Sequence, residues 1–107
     1  MKTEKKYIPN KYIIKYLDYL NYERKLSTNT IESYKNDLKY LDIYFKGNIT
    51  NITYQDMQNL LSSLNTKSNK SIAHYLTVYN SFYNFLISEN KLKTNNPCKN
   101  IASPKLS

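Results

Sequence analysis

Glycine occurs once in this 107-residue chain, proline three times, cysteine once and tryptophan not at all. So little glycine leaves few of the tight turns that hairpins need, which disfavours strands and favours helices. A lone Cys98 excludes an intrachain disulfide and a cysteine-built zinc site, and it fits a reducing intracellular setting. A lone His74 has no second imidazole with which to share a metal, so neither metal nor cofactor is expected. No apolar run approaches the ~20 residues of a membrane span, and lysines throughout residues 1–20 leave no signal-peptide core. A soluble, cytoplasmic chain without membrane contact is expected.

Acid is scarce too. Eight acidic residues face sixteen basic ones, a formal charge of +8, which makes a polyanion the leading partner class for so small a domain. All but one of the basic residues are lysine, and asparagine, isoleucine and tyrosine are abundant. AT-rich coding writes the same mixture, so part of the excess is compositional. What remains is a chain of one domain, apolar enough at 40% to fold around a modest core.

Hydrophobic spacing predicts four helices. The first runs from about Asn10, a natural N-cap after Pro9, to Arg24, with Ile13, Tyr16, Leu17 and Leu20 on one face. Residues 1–7 before it are expected to fray. The second begins at Ser27 or Thr28 and ends near Lys46, where Gly47 supplies a stop. Its buried arc is Ile31, Tyr34, Leu38, Leu41 and Phe45, with Asp37 and Asp42 near the edges. Its outer arc is Asn29, Ser33, Asn36 and Tyr40, and Lys35, Lys39 and Lys46 line one flank. Thr53 and Asp56 form a capping-box pair that starts a third, shorter helix with Met57, Leu60, Leu61 and Leu64 inward. Ile49 and Ile52 tuck the preceding loop onto the core.

The fourth helix spans about Asn69 to Asn90, with Ile72, Tyr75, Leu76, Tyr79, Phe82, Tyr83 and Leu86 inward. Its reverse stripe, Lys70, His74, Thr77, Ser81, Asn84 and Ser88, holds no acidic residue over five turns. Ordinary solvated faces alternate glutamate with lysine. A stripe of small hydrogen-bonding groups with a lysine and a histidine suits the floor of a DNA groove. The hydroxyl and amide run Ser27-Thr28-Asn29-Thr30 makes the second helix a phosphate-facing N-terminus, and plain helix capping accounts for the same residues.

Four segments together resemble one known family. They are Tyr16-Leu17-Asp18-Tyr19-Leu20 followed by Glu23-Arg24-Lys25-Leu26-Ser27, and Asn29-Thr30-Ile31-Glu32-Ser33-Tyr34 with Asp37-Leu38. The others are Ile52-Thr53 with Asp56, and Phe82-Tyr83-Asn84-Phe85-Leu86 leading to Asn96-Pro97, Ile101 and Pro104-Lys105. Their order and spacing resemble the N-terminal core-binding (SAM-like) domain of phage-integrase and Xer-type tyrosine recombinases, over about Tyr12 to Leu106. The resemblance implies an all-α, four-helix SAM-like orthogonal bundle that forms half of a clamp on double-stranded DNA during recombination or integration. Its second and fourth helices would face the DNA.

By position, the resemblance implies phosphate contacts from Ser27, Thr28, Asn29 and Thr30, with Ser33, Lys35 and Asn36 lining the groove approach. Lys67, Ser68, Lys70, His74, Thr77, Asn80 and Ser81 would serve from the fourth helix. Relatives tend to carry arginine near His74, Asn80 and Ser81, and losing a bidentate guanidinium forfeits roughly 1–3 kcal/mol of base discrimination per pair. The family's chemistry uses a tyrosine nucleophile with arginines, a lysine and histidines. One arginine and one histidine cannot supply that set, and the twelve tyrosines sit mostly at core spacing, so this chain is expected to bind and not to cut.

The implied organisation is a flexible N-terminus at 1–9, the helical domain at 10–95 and an exit linker at 96–107 toward a catalytic domain outside the chain. Other recombinase protomers are the implied partners in the full assembly, and the chain alone is expected to be a monomer. Two rival readings are a helix-turn-helix regulator, which would want a short recognition helix after a tight glycine turn, and a helical protein-interaction domain.

Overall fold

The computed structural model describes residues 7–92 and 94–102. Its four helices are α1 (Lys11–Tyr22), α2 (Thr28–Tyr44), α3 (Tyr54–Ser62) and α4 (Asn69–Ser88), with no strand among the described residues. Each starts on a side-chain cap. Asn10 Oδ1 accepts the Tyr12 N–H at 2.8 Å, and Ser27, Thr53 and Ser68 accept from the third residue onward.

The helices stop slightly sooner than their apolar spacing predicts, because left-handed residues end them. Lys25 (φ 52°) turns the chain after α1, and the Leu26 N–H closes on the Leu20 carbonyl at 3.0 Å. Lys46 (φ 52°) and Gly47 (φ 84°) do the same after α2, and Asn90 (φ 57°) after α4. With one glycine to spend, the chain puts lysine and asparagine where glycine is the usual choice.

The core gathers around α4, whose Tyr79, Phe82, Tyr83 and Leu86 are wholly buried. Leu38 and Leu41 come from α2, Ile13 and Leu20 from α1, and Met57 and Leu60 from α3, and Ile49 and Ile52 close the loop side. Full burial of each such side chain contributes about 1.5–3 kcal/mol. The inward arc of α4 is wider than its spacing predicts: Val78 and Phe85 are buried as well, because α1 wraps that edge with Tyr16 and Tyr19 against Phe85. Buried hydroxyls have partners. Tyr83 donates to the Ile49 carbonyl at 2.8 Å and Tyr79 to the Asp37 carbonyl at 3.2 Å.

One expectation needs correction here, at Tyr7. Asp42 is buried, accepting from the Tyr7 hydroxyl at 2.7 Å and the Asn10 N–H at 3.1 Å. Tyr7, grouped by the sequence with a frayed terminus, is therefore half-buried and held, with the Lys39 ammonium over its ring. Residues 1–6 lie outside the described residues.

Beyond α4 the chain stays packed. Asn96 Nδ2 donates to the Asn80 carbonyl, Asn80 Oδ1 and Asn84 Oδ1, and Asn96 Oδ1 accepts the Cys98 N–H at 2.8 Å. Asn96, Pro97 and Cys98 are buried, and Ile101 rests on the core, so packing continues past residue 95. Pro104 and Lys105 lie outside the described residues.

Candidate nucleic-acid interface

Two of the helix starts are capped without being neutralised. Ser27 Oγ accepts the Thr30 N–H at 3.2 Å and pairs with Thr30 Oγ1 at 2.9 Å, and the first turn of α2 holds no acid. Ser27, Thr28 and Asn29 are exposed and Thr30 is half-buried. Ser68 Oγ likewise accepts the Ser71 N–H at 3.2 Å, again with no acid in the first turn, and Lys67 and Lys70 stand exposed beside it. The free N–H groups and the positive end of each helix dipole thus face solvent. At α3 the Thr53 start is closed by Asp56, which returns a carboxylate bond to the Thr53 N–H at 3.0 Å.

The outer arcs of α2 and α4 adjoin along a seam. His74 Nε2 and Asp37 Oδ2 lie 2.8 Å apart, bonded across the two helices. Below them Tyr79 reaches the Asp37 carbonyl, and the Tyr40 and Tyr75 rings lie 6.3 Å apart. Ser33 lies one turn before Asp37 on α2, with Asn36 beside it, and Thr77 and Ser81 follow His74 along the same ridge of α4, so these residues share one face. Ser33, Asn36, His74, Thr77 and Ser81 are all exposed. Thr77 Oγ1 donates to the Ala73 carbonyl at 3.0 Å, which fixes its rotamer. Burial first, then the Asp37 charge, pushes the Tyr75 phenol up, so it stays protonated beneath the seam.

Not every expected residue joins that face. Lys35 lies roughly 160° round α2 from Asp37 and is half-buried. Asn80 is exposed on the far edge of α4, with its Oδ1 taken by Asn96. Tyr40, placed by its spacing on the outer arc, is half-buried because Tyr75 covers it and Ser63 bonds its hydroxyl at 2.6 Å. The outer stripe of α4 is free of its own acids, yet Asp37 reaches it from α2. That carboxylate is only 12% exposed, and its partner is His74.

Sequence spacing also leaves out Arg24. The structure sets it in a cleft of about 300 Å³ with Tyr16, Ser81, Asn84 and Ser88. Its place three residues before the Ser27 cap was the available signal, because the start of α2 lies toward the C-terminal half of α4. No helix of the described residues is long and apolar enough to cross a membrane, and no group of histidine, cysteine and acidic residues among them could hold a metal.

Comparison with known proteins agrees with this architecture. Tyrosine recombinase XerC of Oceanobacillus iheyensis is 31% identical over 102 residues, covering 90% of this chain and 33% of that protein. Tyrosine recombinase XerD of Staphylococcus epidermidis is 33% identical over 102 residues, 90% of this chain and 34% of its own length. XerD of Staphylococcus aureus is 35% identical over 99 residues, 87% of this chain and 33% of its own. The chain thus spans about a third of the length of the curated relatives it matches. No solved structure matches it. Residues 13–90, from α1 through the end of α4, match the family described as phage integrase, N-terminal SAM-like domain, and the chain belongs to that family.

Proposed function

We propose that this chain is the DNA-docking module of a site-specific tyrosine recombinase, laying the joined outer faces of α2 and α4 against duplex DNA. One observation carries the reading: the Asp37–His74 bond sets two polar helix faces side by side, with an acid-free helix start at Ser27 and another at Ser68. The similarity to tyrosine recombinases XerC and XerD and a net charge of +8 support it.

In this reading Ser27, Thr28, Asn29 and Thr30 hold one phosphate run at the start of α2, while Lys67, Ser68 and Lys70 hold another at the start of α4. Ser33, Asn36, His74, Thr77 and Ser81 lie between them, over the groove. Lys35 and Asn80 contribute charge or polarity from the flanks. Small hydroxyls and a histidine read bases weakly, so shape and backbone contacts dominate. One arginine and one histidine do not furnish a charge-stabilising catalytic set, so this chain's share of the reaction is docking. Tethering to the rest of a recombinase, and to further protomers on the site, raises its effective concentration.

Titration of the chain with duplex DNA at several salt concentrations tests this. Affinity should fall steeply with salt, and Lys67→Glu with Lys70→Glu should flatten the slope by about two phosphate contacts while leaving the thermal midpoint in place. A folded chain with no measurable duplex affinity at low salt would overturn the reading in favour of a protein-binding bundle.

A further inference from the structure

We propose that the cleft formed by Arg24, Tyr16, Ser81, Asn84 and Ser88 is a backbone-phosphate subsite that extends the docking face beyond the seam, with Arg24 as its anchoring contact. The inference rests on the docking reading above and names a residue outside the set that reading uses.

Arg24 is the chain's one arginine, and it is exposed in the turn between α1 and α2. No carboxylate pairs with it among the described residues, where Glu89 pairs with Lys15 and Asp37 is hydrogen-bonded to His74. Around it the cleft offers donors: the Tyr16 phenol, the Ser81 hydroxyl and the Asn84 amide. Asn84 Oδ1 is occupied by Asn96, which orients its NH₂ group away from that bond and leaves it available to donate. Burial pushes the Tyr16 phenol up, with the Arg24 charge and the Ser81 hydroxyl acting against it, so the phenol stays protonated and able to donate. A guanidinium fork matches two phosphate oxygens at once, which a lysine cannot do.

Charge is partitioned around this cleft. The Tyr19 and Phe85 rings, 4.8 Å apart, wall it off from a neighbouring cleft lined by Lys15, Asp18, Glu23 and Glu89. Acids gather behind the ring pair, while the Arg24 side holds none. Along α4 from Lys70 through Thr77 to Ser81 the carboxylate that reaches the stripe is Asp37, bonded to His74, and the acids of the neighbouring cleft lie beyond the rings. Ser27 lies three residues after Arg24, so the subsite also continues into the start of α2. It supplies from a turn the guanidinium that α4 lacks at His74, Asn80 and Ser81.

The test uses the intact chain and a fluorescein-labelled duplex oligonucleotide. Arg24→Ala should lower affinity about threefold to tenfold at low salt and reduce the salt slope by about one contact, with the thermal midpoint unchanged. Arg24→Lys should keep the slope and recover only part of the affinity, because charge is retained and the fork is lost. Lys15→Ala, beyond the ring pair, should bind as the parent does. Unchanged affinity and slope in Arg24→Ala, alongside a clear loss in Lys67→Glu with Lys70→Glu, would overturn the subsite and leave the docking face standing. No duplex binding by the parent would overturn both. Inorganic phosphate should compete no better than chloride at equal ionic strength, and selective displacement by phosphate would reassign the cleft to a free anion.

Discussion

At Ser27 and at Thr53 the same bond starts a helix, a hydroxyl oxygen accepting an N–H three residues on, at 3.2 and 3.1 Å. At Thr53 the third residue is Asp56, and its carboxylate bonds back to the cap. At Ser27 the third residue is Thr30, a neutral hydroxyl that answers only the cap's own oxygen. The mechanical job is done in both places, and the charge differs by one. An acid near a helix start is worth about 0.3–1 kcal/mol, so α2 forgoes a stabilisation that α3 takes. The difference teaches that capping and anion readiness are separate properties, set by one residue at the third position.

Both helices share one interior, so a perturbation of that interior should melt them together, and this is the largest effect expected. Burial pushes the Cys98 thiol from 9.0 up to about 12 and the Tyr16 phenol from 10.0 up to about 12, and it raises Tyr79 and Tyr83 as well. These acids ionise more readily in the unfolded chain. Their contribution is therefore complete below about pH 9 and lost as pH climbs toward 12, when unfolding releases the protons that folding retains. Circular dichroism against pH should show a single alkaline transition in that window. Two separate transitions would mean that α2 and α3 do not share a core.

Thr30→Glu moves the α3 arrangement onto α2. It should stabilise the fold by about 0.3–1 kcal/mol and weaken duplex binding about tenfold, opposite signs from one change. Thermal melts with parallel DNA titrations read both, and a gain in affinity would remove phosphate from the Ser27 start. Thr53→Ala works the other way, costing about 1 kcal/mol of stability with no loss of DNA affinity. Chemical denaturation checks the first part, and a binding loss would bring α3 into the interface.

The smallest effect lies just ahead of α2. Lys25 holds a left-handed conformation (φ 52°), whereas no residue from 48 to 53 has a positive φ. Lys25→Gly should relieve that strain and stabilise the domain by about 0.5 kcal/mol, net of the extra freedom glycine has when unfolded. Between α2 and α3 the same logic applies at Lys46 (φ 52°), seven residues before the Thr53 cap rather than beside it.

Local chemistry was legible from the chain. Asn10, Ser27 and Thr53 stand in front of apolar repeats, and a cap acts within three residues, so these starts follow from spacing, while the Ser68 cap of α4 emerges from the structure. The inward residues of α3 and most of those of α4 follow from the same periodicity, as does the acid-free stripe from Lys70 to Ser88. Helix ends were less legible, because Lys25, Lys46 and Asn90 take a conformation that their side chains do not advertise.

What folding decided is every relation between elements far apart in sequence. Asp42 is buried because Tyr7 and Asn10 arrive to bond it, and Asn96 is buried because α4 presents Asn80 and Asn84 to it. His74 meets Asp37 across 37 positions, and Arg24 meets Ser81 and Ser88 only because α1 and α4 pack together. Periodicity tells which side of a helix seeks water and is silent on which neighbour flanks it. The chain alone thus fixed four helices and a basic, acid-poor outer surface, since those depend on bonds within a few residues. Which polar faces adjoin, and where the single guanidinium points, came from packing, because only burial of the shared core sets one helix against another.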